Sequence, residues 1–255
     1  MKLVLNIGFI MSGLYCKEHE HFWVLKYFGT YPEYSINYNQ MIVKMNKEIN
    51  ELLYYYNQEG EEGYDLSEVQ LLEKIDIDRV EKLKLLLYSD HQYIAYQAML
   101  ILLAWSIPEG FEMLDRFIHQ KWDEKENFEP HRIYHEDNVY DVITNALYIA
   151  TFNGKSEQEL YPYIKQFLNS YGDKFFESNL KNFLLKKNCR PLVTDIEQAM
   201  QSALYNKRFY QASQLFPVMV HYEKNIFNEY VDVFSSLIKV DNRIIYNREE
   251  AEKML

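Results

Sequence analysis

Apolar residues recur at helical spacing over most of this chain, and the segment after Gly154 shows the pattern best. Leu160, Tyr163, Ile164, Phe167, Leu168 and Tyr171 fall at i, i+3, i+4, i+7, i+8 and i+11. On a helix that spacing makes one continuous stripe, whereas on a strand it would scatter over both faces. Ser156 and Glu159 form an S-x-x-E capping box ahead of it, and Gly172 is placed to end the helix in the left-handed conformation. Asp173 is positioned to cap a following helix at once, with Phe176, Leu180, Phe183 and Leu184 on its apolar face and Asn188 and Pro191 as its stop. Thr194 with Glu197 reads as a second capping box before Ile196, Met200, Ala203 and Leu204. After a break at Asn206-Lys207 the stripe resumes with Phe209, Ala212, Leu215, Phe216 and Met219, which predicts a helical hairpin.

Upstream, Ser89 or Asp90 starts a helix whose Ile94, Ala95, Ala98, Met99, Ile101, Leu102 and Trp105 cover more than one face. Such a helix has to be sandwiched between neighbours, and we expect it to be the most buried. Pro108 suits a first helical turn, and Phe111, Leu114, Phe117 and Ile118 give the antiparallel partner a single stripe. Val139 to Ala150 pairs with the 156–171 helix, and later pairs keep a period of about 40 to 50 residues, the range of HEAT-type repeats. Helix pairs of this kind bury their stripes by stacking into a curved right-handed array. Nearer the start, Ile36 to Tyr56 reads as one long helix and Asp65 with Glu68 caps a shorter one. The expected fold is all-α, antiparallel helix pairs stacked as a HEAT-like α-solenoid. It forms one domain over residues 1–255, with an irregular N-terminal subregion at 1–65 and repeat-like pairs over 66–240. Eight glycines and six prolines over 255 residues agree with short connections and are too few for an all-β fold.

The formal net charge of -11 disfavours nucleic acid as a partner, because Lys and Arg contacts to phosphate supply most of that affinity. A basic protein is the natural complement. Cys16 and Cys189 lie far apart without CxxC or CxxH spacing, so they predict neither a disulfide framework nor a zinc site, and they fit a reducing, cytoplasmic setting. The first ten residues resemble a signal peptide, but Asn6 interrupts the apolar stretch, a single basic residue precedes it and no A-x-A site follows, so export is not expected. The apolar run Ala98 to Trp105 is far short of the about 18 residues a membrane span requires. Homo-oligomerisation is left open by the sequence.

Two polar interruptions stand out. One carries Glu59, Glu61, Glu62, Tyr64 and Asp65; the other, from Lys121 to Asn138, carries Asp123, Glu124, Glu126, Tyr134, His135, Glu136 and Asp137, with Tyr140 just beyond. Acidic runs are commonly only solvated loops. Tyrosines interleaved with carboxylates, which give large contact area at low entropy cost, make these residues the candidate partner-binding set. Many tyrosines also fall on apolar stripes, where packing alone accounts for them.

Chemistry is harder to find. His131 and His135, four apart, would share a helix face, but Arg132 stands where a zinc protease motif needs glutamate, and a surface or capping role accounts for them better. Glu18-His19-Glu20-His21 holds one E-x-x-H, and the second that a di-iron bundle requires is missing. There is no G-x-S-x-G elbow and no Gly-rich phosphate loop. We therefore expect no catalytic residue, no metal, no cofactor and no enzymatic activity. A helical enzyme using a metal at His131 to Asp137 is the remaining catalytic alternative.

The stretch SDHQYIAYQAMLILLAWSIPEGFEML at 89–114, together with YDVITNAL at 140–147, resembles the HEAT-like helix pairs of immunity proteins from bacterial polymorphic toxin and contact-dependent growth inhibition systems. The resemblance implies a cytoplasmic protein that binds a cognate toxin domain and blocks its active site or its access to a target. An acidic chain suits a basic, nuclease-type toxin. A helical-repeat adaptor or regulator binding a different protein would share every compositional feature.

Overall fold

Helix periodicity translates directly into the architecture. The computed structural model describes residues 22–23, 44–45, 47–55 and 66–255. Cys16, the Glu18 to His21 cluster and the acidic stretch Glu59, Glu61, Glu62, Tyr64 and Asp65, including the expected Asp65 cap, lie outside the described residues. The chain divides into two units, Met1–Lys82 and Leu83–Leu255.

In the first unit, β1 (Phe22–Trp23) pairs antiparallel with β2 (Lys44–Met45), Phe22 opposite Met45 and Trp23 opposite Lys44. This corrects the single helix expected over Ile36 to Tyr56: α1 spans only Lys47–Tyr54, and Lys44–Met45 are extended. Backbone groups committed to a strand partner are not available to a helix. Next come α2 (Leu66–Gln70) and α3 (Ile77–Leu86), the latter running across the boundary between units. Leu53, Val69 and Val80 are buried. Arg79 closes the C-terminal end of α1, its Nε donating to the Leu52 carbonyl at 2.9 Å and its Nη1 to the Tyr55 carbonyl at 2.6 Å. Burial lowers its pKa to about 10.

The second unit holds α4 (Gln92–Ala104), α5 (Pro108–His119), α6 (Val139–Ala150), α7 (Glu157–Ser170), α8 (Asn179–Lys186), α9 (Val193–Tyr205), α10 (Phe209–Tyr222), α11 (Ile226–Leu237) and α12 (Ile244–Glu252). Each even-numbered helix packs on the next: α4 on α6, α6 on α8, α8 on α10, α10 on α12. The others lie against these, α5 on α4, α7 on α6 and α9, α9 on α10, α11 on α10 and α12. Beyond the two-residue pairing in the first unit, the regular structure of the described residues is all helical, and none of these helices is long and apolar enough to cross a membrane. In α4 every residue from Ile94 to Ala104 is buried, as its all-round apolar pattern requires. α10 is buried as completely from Gln211 to Val220, and its polar members are paired: Gln211 Oε1 accepts from the Phe176 N–H at 3.0 Å.

Helix starts and stops depart from the local reading in three places. The Ser156–Glu159 box forms, but Gly172 is not left-handed; among the described residues the glycine with positive φ is Gly154, at 92°. Gly172 is instead required by close approach, since a Cβ there would lie 2.1 Å from Ser202 Oγ and 2.8 Å from Ser202 Cβ. Asp173 does not start the next helix. α8 begins at Asn179, and its first amides, Asn179 and Leu180, donate to the carboxylate of Asp141 at 3.2 and 3.0 Å. Thr194 with Glu197 makes no capping box, because the 3-10 turn Arg190–Leu192 runs straight into α9, which begins at Val193. Glu197 is already inside the helix and accepts from Gln201 Nε2 at 3.1 Å.

Candidate functional site

The connection from Lys121 to Asn138 is ordered by aromatics that lie between its charges. Trp122 and Phe128 are buried; Phe128 sits 5.1 Å from Phe117 and 5.0 Å from Tyr96, ring centre to ring centre, and stacks on Trp122 at 6.4 Å. A loop with two such anchors does not float free of the core.

Asp137 closes its far end. One carboxylate accepts the N–H of Phe128 (3.0 Å), Glu129 (2.8 Å) and Val139 (3.1 Å), tying the loop's descending limb to the start of α6. Burial pushes its pKa up to about 6, outweighing the three N–H groups that favour the anion. Between these anchors the chain folds back, with the His131 N–H on the Glu136 carbonyl at 2.8 Å and the Asn138 N–H on that of Glu129 at 2.9 Å. His135 takes a left-handed φ of 59°. The segment is turns, so the helix face that would align His131 and His135 does not form. His131 Nδ1 instead accepts the N–H groups of Ile133 and Tyr134 at 3.2 and 3.1 Å, and its Nε2 faces Glu177 Oε1 at 2.9 Å. That arrangement puts the ring proton on Nε2.

The candidate residues part into two groups. Asp123, Asp137 and Tyr140 are turned inward. Asp123 pairs with Lys174 at 2.8 Å with its side chain 5% exposed, and its carboxylate also bonds the Tyr140 hydroxyl. Tyr140 packs among Phe117, Phe167 and Phe176, and burial raises its pKa. Their polar groups are spent on internal contacts. Glu124, Glu126, Tyr134, His135 and Glu136 reach the surface. Glu124 pairs with Lys121 at 2.9 Å and Glu136 with Arg208 at 2.6 Å. Tyr134 stacks on His131 at 4.9 Å with rings 17° apart, lies 5.7 Å from Phe175, and accepts a hydrogen bond from Arg243. Arg243, gripped by Asp241, also covers the Tyr210 ring at 4.2 Å.

Sequence reasoning missed Phe175, Glu177, Arg208 and Arg243. Arg243 is 109 residues from Tyr134, and nothing local announces such a contact. It also passed over Asn138, whose Nδ2 donates to Glu177 Oε2 at 3.0 Å. Of these, Asn138 and Glu177 line a cleft of about 410 Å³ together with Glu129, Pro130, Val142 and His131 to Ile133. A smaller one of about 190 Å³ lies over Asp123, Tyr140 and Lys174. Among the described residues no three His, Cys, Asp or Glu side chains gather as a metal-ligand set. The arrangement offers carboxylates, aromatic faces and an amide, groups that can hydrogen-bond and pack against another molecule. Comparison with protein-family models, with curated proteins and with solved structures finds no match to this chain.

Proposed function

We propose that this chain is an immunity protein, a HEAT-like α-solenoid that binds a cognate toxin domain in the cytoplasm and occludes its active site. The observation that supports the solenoid reading is the order of packing, α4 to α6 to α8 to α10 to α12 with the odd-numbered helices alongside. Stacked repeats touch mainly their near neighbours and present extended surfaces to other proteins. The net charge of -11 supports a basic toxin, nuclease-type, because opposite charge accelerates encounter and suppresses wrong partners. On this reading the surface group Glu124, Glu126, Tyr134, His135 and Glu136 meets the toxin. The protein performs no chemistry of its own.

The test is a pull-down of the tagged chain from its host with mass spectrometry, followed by co-expression with the basic domain recovered. Recovery of a toxin domain whose lethality the chain abolishes is the expected result. Recovery of other proteins without protection would replace the immunity reading with that of a helical-repeat adaptor.

A further inference from the structure

The tip of the 121–138 connection is closed by an imidazole that can do so in only one protonation state. His131 Nδ1 accepts the N–H groups of Ile133 and Tyr134 at 3.2 and 3.1 Å, while its Nε2 donates to Glu177 Oε1 at 2.9 Å. A neutral imidazole has one acceptor and one donor nitrogen, which is what these contacts use; an imidazolium has two donors and no acceptor. A proton on Nδ1 would set N–H against N–H at both amides, so a charged His131 and the closed tip exclude one another. Nε2 makes no such distinction, because it carries its proton in both forms. The base of the hairpin is independent of the ring: Pro130 bridges Asp137, and the His131 and Asn138 N–H groups donate to the Glu136 and Glu129 carbonyls at 2.8 and 2.9 Å. At the tip a single main-chain bond, His135 N–H to the His131 carbonyl at 2.8 Å, accompanies the ring contacts, and Ile133 and Tyr134 are 65% and 44% exposed. Little buried surface opposes a local opening there.

The charges around the ring are mostly committed elsewhere. Glu177, its side chain 48% exposed, is the one in direct contact, and a pair so open to water is weak. Arg132 follows in the chain and lines the same cleft, as does Glu129, whose carboxylate bonds the Tyr96 hydroxyl. Glu136 is held by Arg208, and Asp137 by the amides of Phe128, Glu129 and Val139. Across the Tyr134 ring stands Arg243, paired with Asp241. From α6 the cleft receives only the neutral side chains of Asn138 and Val142, and the segment before α8 adds the Phe175 ring at 4.9 Å. His135 is the other titratable group on the tip.

We propose that His131 is a proton-sensitive latch: neutral, it holds the Ile133 and Tyr134 amides, and protonated, it releases them while staying on Glu177. Histidine changes charge between about pH 5 and 8, so the tip is closed at the upper end of that range and open at the lower. Tyr134, His135 and Glu136 ride on this tip. That acid would alter a partner's footing there rests on the protein-binding reading above; the latch itself does not.

The experiment is nitrogen-15 NMR of the purified full chain at about pH 7.5 and about pH 5, reading the histidine ring nitrogens and amide hydrogen exchange corrected for the intrinsic rate. At the higher pH the His131 ring should carry its proton on Nε2, and the Ile133 and Tyr134 amides should be protected. At the lower pH their protection should fall about tenfold while the amides of α4 keep theirs. His131→Asn supplies an acceptor that does not titrate, the Asx-turn oxygen, so its two amides should be equally protected at both pH values. His131→Ala should leave them unprotected at both. Protection in the parent unmoved by acid, a ring protonated on Nδ1 at the higher pH, or protection that survives His131→Ala would overturn the latch. So would an acid loss that persists in His131→Asn, which would assign it to Asp137 or His135. No partner enters these measurements, so their failure leaves the immunity reading standing, and failure of the pull-down leaves the latch.

Discussion

Asp141 is 0% exposed and still carries an ionisable group, because it supplies the acceptor that the first amides of α8 lack. Burial raises its pKa to about 6, as it does that of Asp137. Both values stand above the ~3.9 of an unfolded aspartate, so the folded chain holds these protons more tightly than the unfolded one. Their stabilising contribution is complete below about pH 4 and is lost as pH rises through about 6, on the order of 2–3 kcal/mol for each. Asp141→Asn removes that ionisation and keeps one acceptor oxygen. Chemical denaturation of variant and parent at pH 4.5 and 7.5 should show the variant gaining on the parent at the higher pH, and an unchanged difference would refute the buried titration. Asp123 and its neighbours separate in the same way. Asp123→Ala strands Lys174 and the Tyr140 hydroxyl and should cost about 1–3 kcal/mol, whereas Glu124→Ala and Glu126→Ala should stay within about 0.5 kcal/mol. Comparable losses at all three positions would contradict an inward-facing Asp123.

At the scale of elements, two glycines set how closely helices approach. A Cβ on Gly110 in α5 would meet the backbone of α4, Leu103 N at 2.7 Å and Leu102 C at 2.8 Å, whereas one on Gly172 meets mainly the Ser202 side chain. Backbone yields less readily than a hydroxymethyl group. Gly110→Ala should therefore cost more, about 2–3 kcal/mol against about 1–2 for Gly172→Ala, and Ser202→Gly should recover part of the second loss and none of the first. Thermal melts of the four variants check the order. The capping box of α7 was legible in the sequence because both its partners sit within one turn. The cap of α8 was not, because its acceptor lies 38 and 39 residues upstream on α6. The expected box at Thr194 failed for a related reason: Pro191 and the 3-10 turn around it started α9 earlier than the side-chain pattern alone indicates.

For the whole molecule, the immunity reading proposed above makes the acidic balance the means by which a basic partner is met. With a toxin domain in hand, Glu124→Lys combined with Glu126→Lys should slow association several-fold at low salt, the difference shrinking as ionic strength rises, with helicity unchanged. Stopped-flow association across a salt series would read this, and a rate indifferent to both changes would place the contact elsewhere. What the sequence by itself determined is the helical identity of the second unit, the burial of α4, and the positions of α6, α7, α9 and α10 to within a few residues. Those features follow from side chains three and four residues apart, and the chain carries that information locally. Only the tertiary structure decided which charges face outward, with Asp123 and Asp137 drawn in and Glu136 left at the surface on Arg208. It alone brought Phe175, Glu177 and Arg243 to the 131–138 turn. A carboxylate reads the same in sequence whether it caps a distant helix, pairs with a distant lysine or meets solvent, because its role is set by groups that only folding places beside it.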